Sequence, residues 1–207
     1  MSRLLLKLMV SLFWIVAGYS SLQATTRMFA ALSMTKDQAN SSLPTDAGLF
    51  TFDSATGSWT RFGPQIQFIY SMVVDPSNND RIFLACGNGI VLSRDGGSTW
   101  RQVSGWRENE VLEIVIDPDD SRNVYAATAW GLHLSRDGGD SWSYANDGLG
   151  EPFSKAIEID FSNTSRLLVG TASGVFESPD RGTTWTRAGD FPEVNTVDLT
   201  QDPRNPN

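Results

Sequence analysis

One cysteine and one histidine are all that this 207-residue chain carries of either. Cys86 has no partner for an intramolecular disulfide, so packing and hydrogen bonds must hold the fold. A zinc centre of His and Cys ligands, or a Ser-His-Asp triad, would have to be built around His133 alone. That residue lies in the apolar alternation Gly131-Leu132-His133-Leu134 and reads as a strand position. No metal and no other cofactor is expected. Cations are scarce as well: 16 Lys and Arg stand against 24 Asp and Glu, for a net charge of -8. With no basic cluster to neutralise phosphates, nucleic acid is excluded as a partner. The apolar run Leu8 to Ala17 is shorter than the roughly 20 residues that span a bilayer, and no helical period can be placed after it.

What the chain does have is a stretch written three times. Ser93-Arg94-Asp95-Gly96-Gly97-Ser98-Thr99-Trp100 returns as Ser135-Arg136-Asp137-Gly138-Gly139-Asp140-Ser141-Trp142 and as Ser178-Pro179-Asp180-Arg181-Gly182-Thr183-Thr184-Trp185, a period of 42 to 43 residues. A second mark keeps the same period, in Asp75-Pro76, Asp117-Pro118, Asp160-Phe161 and Asp202-Pro203. A degenerate first copy is Asp53-Ser54-Ala55-Thr56-Gly57-Ser58-Trp59. Periods of this size mark solenoids, propellers or arrays.

The residue types suit a hairpin between two strands. Gly97, Gly139 and Gly182 fall where the turn needs positive φ, and Asp95, Asp137 and Asp180 where its amides need an acceptor. Trp100, Trp142 and Trp185 are large enough to seal one hairpin against the next. These nine residues are assigned to structure. The pattern resembles the Asp-box, or BNR, repeat of the family that includes sialidases, xyloglucanase-type glycoside hydrolases, sortilin-type receptors and the photosystem II assembly factor, over about residues 45 to 207. The resemblance implies an all-β propeller of four-stranded blades. It implies no one activity, because enzymes and non-enzymes share the repeat.

Residues 1–24 read as a signal peptide: Arg3 and Lys7 supply the basic start, Leu8 to Ala17 the apolar core, and Gly18, Ser20 and Ala24 the small residues near a cleavage site. The expected location is secreted or periplasmic, with membrane attachment only if this segment stays uncleaved. Residues 25–44 are taken as a linker or lead-in and 45–207 as blades. Each repeat reads as four short strands between turn signals. The fifth repeat breaks off after its first strand and turn, so about four blades of a larger ring are expected, from a longer protein or one completed by another chain.

In such a propeller the turns between second and third strands, and the loops leaving the fourth, open on the face opposite the Asp-boxes, where ligands sit. Residues that break the repeat there are the candidates: Trp106 and Trp130 to stack on sugar rings or cover the channel, with Arg107, Glu108 and Asp147 beside them. Thr45-Asp46-Ala47-Gly48 resembles the Thr-Asp-x-Gly-Gly stretch that carries a catalytic carboxylate in xyloglucanase-type enzymes, but has Leu49 for the second glycine, so Asp46 is a weak catalytic candidate. Sialidase chemistry is disfavoured, since Arg81, Arg94, Arg122, Arg136 and Arg166 are locked to the repeat and Arg81-Ile82 continues into Phe83. The expectation is a binding or scaffold module for a carbohydrate or protein. The alternatives are an extracellular xyloglucanase-like glycoside hydrolase and a membrane-complex assembly factor.

Overall fold

The computed structural model describes residues 10–14, 27–33, 47–105 and 108–202. Every regular element among them is a β-strand, and the strands form four antiparallel sheets of four. The chain divides into two units, Met1–Ile69 and Tyr70–Asn207.

The first unit holds one sheet of β1 (Val10–Trp14), β2 (Met28–Leu32), β3 (Gly48–Asp53) and β4 (Ser58–Arg61), adjacent in chain order. β2 falls inside the segment 25–44 expected to be a linker or lead-in. It pairs along its whole length with β3, from Met28 opposite Phe52 to Leu32 opposite Gly48, and buries Phe29, Ala30 and Ala31. A five-residue run that is apolar on both faces has no alternation to read, which is why composition alone leaves it unassigned. Of residues 1–24, only Val10–Trp14 are described, as the strand paired with β2; the rest of the signal-peptide reading, its cleavage region included, lies outside the described residues.

The second unit repeats one design three times. Its sheets are β5 (Ile69–Asp75), β6 (Asn78–Cys86), β7 (Gly89–Ser93) and β8 (Arg101–Gln102); β9 (Val111–Ile116), β10 (Val124–Thr128), β11 (Gly131–Ser135) and β12 (Ser143–Tyr144); and β13 (Ser154–Ile159), β14 (Leu167–Thr171), β15 (Gly174–Ser178) and β16 (Thr186–Arg187). Each is a meander with strands adjacent in chain order. The sheets stack face to face, β6 on β9, then β9 and β10 on β13. A strand in the middle sheet must therefore be apolar on both sides. In β10, Val124 and Ala126 join a core with Phe83, Ile90 and Ile114, while Tyr125 and Ala127 join another with Ile157, Leu167 and Trp185. Successive side chains point to opposite faces, so one five-residue strand feeds two cores.

Two ends of this stack can be told apart by their backbone bonds. At one end the Asp-box turn of each sheet donates to that sheet's first hairpin: Gly96 N to Asp80 O, Gly138 N to Arg122 O and Arg181 N to Ser165 O, at 2.8–2.9 Å. The buried Asp75, Asp117 and Asp160 fold those first hairpins by accepting from the amides of Ser77, Asp119 and Ser162. At the other end the turns between second and third strands meet the loops between sheets, with Glu110 N donating to Gly87 O, Ala129 N to Glu110 O and Ala172 N to Phe153 O.

Candidate functional site

The Asp-box residues build turns. Asp137 Oδ1 accepts the Ser141 amide at 2.9 Å and Asp140's at 3.0 Å, and its Oδ2 accepts the Ser141 hydroxyl at 2.5 Å. Asp95 and Asp180 do the same with Thr99 and Thr184. The hub of each turn is a serine that sequence reasoning passed over. Buried Ser93, Ser135 and Ser178 donate to the box aspartate and accept the amides of Gly97, Gly139 and Gly182 at 2.8 Å. These bonds stabilise the ionised carboxylates: the Ser141 hydroxyl, foremost, holds Asp137 down at about 2, and the Thr99 hydroxyl lowers Asp95. Gly139 has φ of +91°, and a β-carbon there would sit 2.5 Å from the Phe83 ring of the preceding sheet.

The tryptophans seal seams to different degrees. Trp185 is buried, its Nε1 donating 2.8 Å to Ala145 O in the preceding sheet. Trp142 packs half-buried on the core shared with Phe83, and Trp100 donates to Gly97 O of its own turn. The repeat arginines are also structural. Arg81 pairs with Asp75, Arg166 with Asp160 and Glu177, and Arg94 with Asp140 of the next box. Arg136 donates to Arg181 O.

The remaining candidates belong to the opposite end. Trp130 stands in the turn joining β10 and β11 and is 58% exposed. Glu108 is buried, its Oε2 accepting the Gly105 amide at 2.6 Å and its Oε1 lying 3.7 Å from His133 Nε2. It thus anchors the loop that connects the second and third sheets. Asp147 is exposed, and its carbonyl accepts from Trp185 N at 2.8 Å, which places its backbone on the seam with the fourth sheet. Trp106, Arg107 and Asp46 lie outside the described residues.

Two further residues complete the neighbourhood: Tyr144, which sequence reasoning missed, and His133, which lies in a strand as its sequence pattern indicates. Tyr144, 50% exposed, lies across the β11–β12 pairing from His133 with ring centroids 4.4 Å apart. His133 is 1% exposed, and neither ring nitrogen has a hydrogen-bond partner among the described residues. Burial lowers its pKa against the opposing pull of Glu108, so the imidazole is neutral at pH 7. A signal for Tyr144 was available in the repeat: two residues after each box tryptophan the other sheets have Arg61, Gln102 and Arg187. Glu110 adds an exposed carboxylate on a backbone with φ of +49°, uncommon for a side chain-bearing residue.

Among solved structures, three resemble this chain in fold. An ancestral GH74 enzyme matches 78% of this chain at 20% identity with a TM-score of 0.61. The GH74 xyloglucanase from Xanthomonas campestris matches 81% at 18% identity, TM-score 0.58. The extracellular domain of a one-component system from B. thetaiotaomicron matches 86% at 16% identity, TM-score 0.62. The fold is that of a β-propeller. The four sheets are blades, and Trp130, Tyr144, His133 and Glu108 gather at the third. The chain spans only 22%, 29% and 24% of those three proteins, and at these identities the likeness concerns the fold alone. No family model and no curated protein matches the chain. No helix among the described residues is long and apolar enough to cross a membrane.

Proposed function

We propose that this chain is part of an exported β-propeller that works as a binding module, its carbohydrate or protein ligand seated on the loop end of the third blade. The observation that carries this reading is where the repeat breaks. Boxes, arginines and seam tryptophans follow the period and are spent on the scaffold. The third blade departs from it at one end, with Trp130 where the other blades have Ala47, Asn88 and Ser173, and with His133 and Tyr144 facing one another. Exposed rings on a rigid scaffold, beside carboxylates that can accept from hydroxyls or amides, suit recognition rather than turnover. Export is supported by the composition of residues 1–24.

The test is binding of soluble β-glucan oligosaccharides and of a panel of peptides to the 207-residue chain, with Trp130→Ala compared to wild type. Removal of a stacked ring should cost about 1 kcal/mol or more of affinity and leave the melting temperature unchanged. A variant that binds every ligand as the wild type does would remove Trp130 from the site. A xyloglucanase-like hydrolase is the second reading, favoured only by Thr45-Asp46-Ala47-Gly48. It requires Asp46→Asn to abolish reducing-sugar release by the full-length protein while binding survives.

A further inference from the structure

The blades provide an internal comparison that narrows the ligand. In the first blade Arg61 lies with its guanidinium 4.9 Å from the Phe50 ring centroid and donates to the Ala47 carbonyl at 2.9 Å. In the fourth, Arg187 lies 5.2 Å from the Phe176 ring and donates to the Ser173 carbonyl at 3.0 Å. In the second, Gln102 Nε2 reaches the Asn88 carbonyl at 3.1 Å. Each of these three blades thus supplies a side-chain N–H to the turn between its second and third strands, and two supply it as a cation stacked on a ring.

The third blade breaks this rule. Tyr144 occupies the arginine's place, His133 that of Phe50 and Phe176, and no donor among the described residues reaches the Trp130 carbonyl. What remains among the described residues, which do not include Arg107, is the acceptor half of the motif, with two exposed rings and no cation stacked on them. Charge there has the complementary sign. Glu108 is buried beside a neutral His133, and the exposed Glu110 makes no ion pair among the described residues. At the Asp-box end, by contrast, Asp75, Asp140 and Asp160 are all paired with arginines. His133, buried with both ring nitrogens unpartnered among the described residues and its Nε2 3.7 Å from Glu108, is a second mark of a polar site that those residues leave incomplete.

We infer that the third blade takes its missing cation from a partner: the arginine or lysine side chain of a peptide segment stacks on the exposed Tyr144 and Trp130 rings and donates to the Trp130 carbonyl, with Glu108 and Glu110 as counter-charges. A guanidinium suits this best, since it stacks on rings and donates in its own plane. This deepens the binding-module reading and rests on it, naming the ligand's chemistry at the same site.

The experiment titrates the 207-residue chain with fluorescein-labelled Gly-Ser-Arg-Ser-Gly, and with versions carrying citrulline or glutamate for the arginine, by anisotropy at two salt concentrations. The arginine peptide is expected to bind at least tenfold tighter than the citrulline peptide, with affinity falling as salt rises. The decisive variant is Tyr144→Arg, which restores the cation of the first and fourth blades. It should keep the melting temperature and weaken the arginine peptide at least tenfold. Tyr144→Gln, the second blade's solution, covers the case in which the arginine variant misfolds, and should weaken binding about threefold or more. Equal binding of arginine and citrulline peptides, or unchanged affinity in a folded Tyr144 variant, would overturn the proposal. Should a β-glucan bind in a Trp130-dependent way while no arginine peptide does, the cation inference falls and the site reading survives. If neither glycan nor peptide affinity responds to Trp130→Ala, both fall.

Discussion

Replacing Trp185 with alanine should be the most damaging single truncation at a box tryptophan, and the seam explains by how much. Trp185 is 3% exposed and packed in the core with Tyr125, Ile157, Leu167 and Phe176. An indole buries about 200 Å², worth about 5 kcal/mol at ~25 cal/mol per Å². Alanine retains the β-carbon and the seam relaxes in part, which leaves about 4 kcal/mol. Trp185→Phe separates the indole N–H from the ring. It keeps most of the apolar area and deprives the Ala145 carbonyl of its donor, for about 1–2 kcal/mol. Trp142 is half-buried and its Nε1 has no hydrogen-bond partner among the described residues, so Trp142→Ala should cost only about 2 kcal/mol. Urea unfolding followed by circular dichroism, whose signal does not depend on tryptophan number, reads all three. Equal losses for Trp142→Ala and Trp185→Ala, or a Trp185→Phe indistinguishable from wild type, would refute this account of the seams.

Ser135→Ala removes the hub of a box turn and leaves the Gly139 amide buried without its acceptor, so a loss of about 1–3 kcal/mol is expected in the same assay. Asp137, held at about 2 against an ordinary 3.8, contributes stability that is fully present above pH 3.8 and is lost as pH falls toward 2. Asp137→Asn should flatten that acid branch of the melting curve, and an unchanged slope would exclude the residue from it. Glu113 behaves oppositely: burial pushes it up to about 7, although the Ile157 amide donates to it. Its native form holds the proton longer than the unfolded chain does, so stability declines as pH rises from 4.5 to 7, and Glu113→Gln should raise the melting temperature at pH 8 more than at pH 4. Export predicts a mature N-terminus between about residue 19 and residue 25, and secreted protein that begins at Met1 would sink it.

Much of the scaffold could be read from the chain because a repeat multiplies its own signal. The boxes, the Asp-Pro turns and the four short strands of each repeat recur at one period, and a hairpin's residue types follow from local backbone needs. These include glycine at positive φ, an aspartate for unpaired amides, and alternation for a half-buried strand. Trp130 also stood out without coordinates, because it interrupts a turn that is otherwise small or polar. β2 was not legible, since an apolar five-residue run fits a buried strand, a loop or a helix equally until a partner strand is in place.

The site depended on contacts that no local pattern encodes. That Glu108 is buried against His133 follows from an inter-blade loop folding over the third blade, across 25 residues of sequence. That Asp147 serves the seam with Trp185, while Tyr144 faces His133, depends on how one blade lies on the next and on strand register. Sequence by itself determined the repeat, its strands and its turns, because those are set by interactions within a few residues. Tertiary structure alone decided which side chains the scaffold consumes and which it leaves open. A side chain is free only when neighbours distant in sequence leave it uncovered.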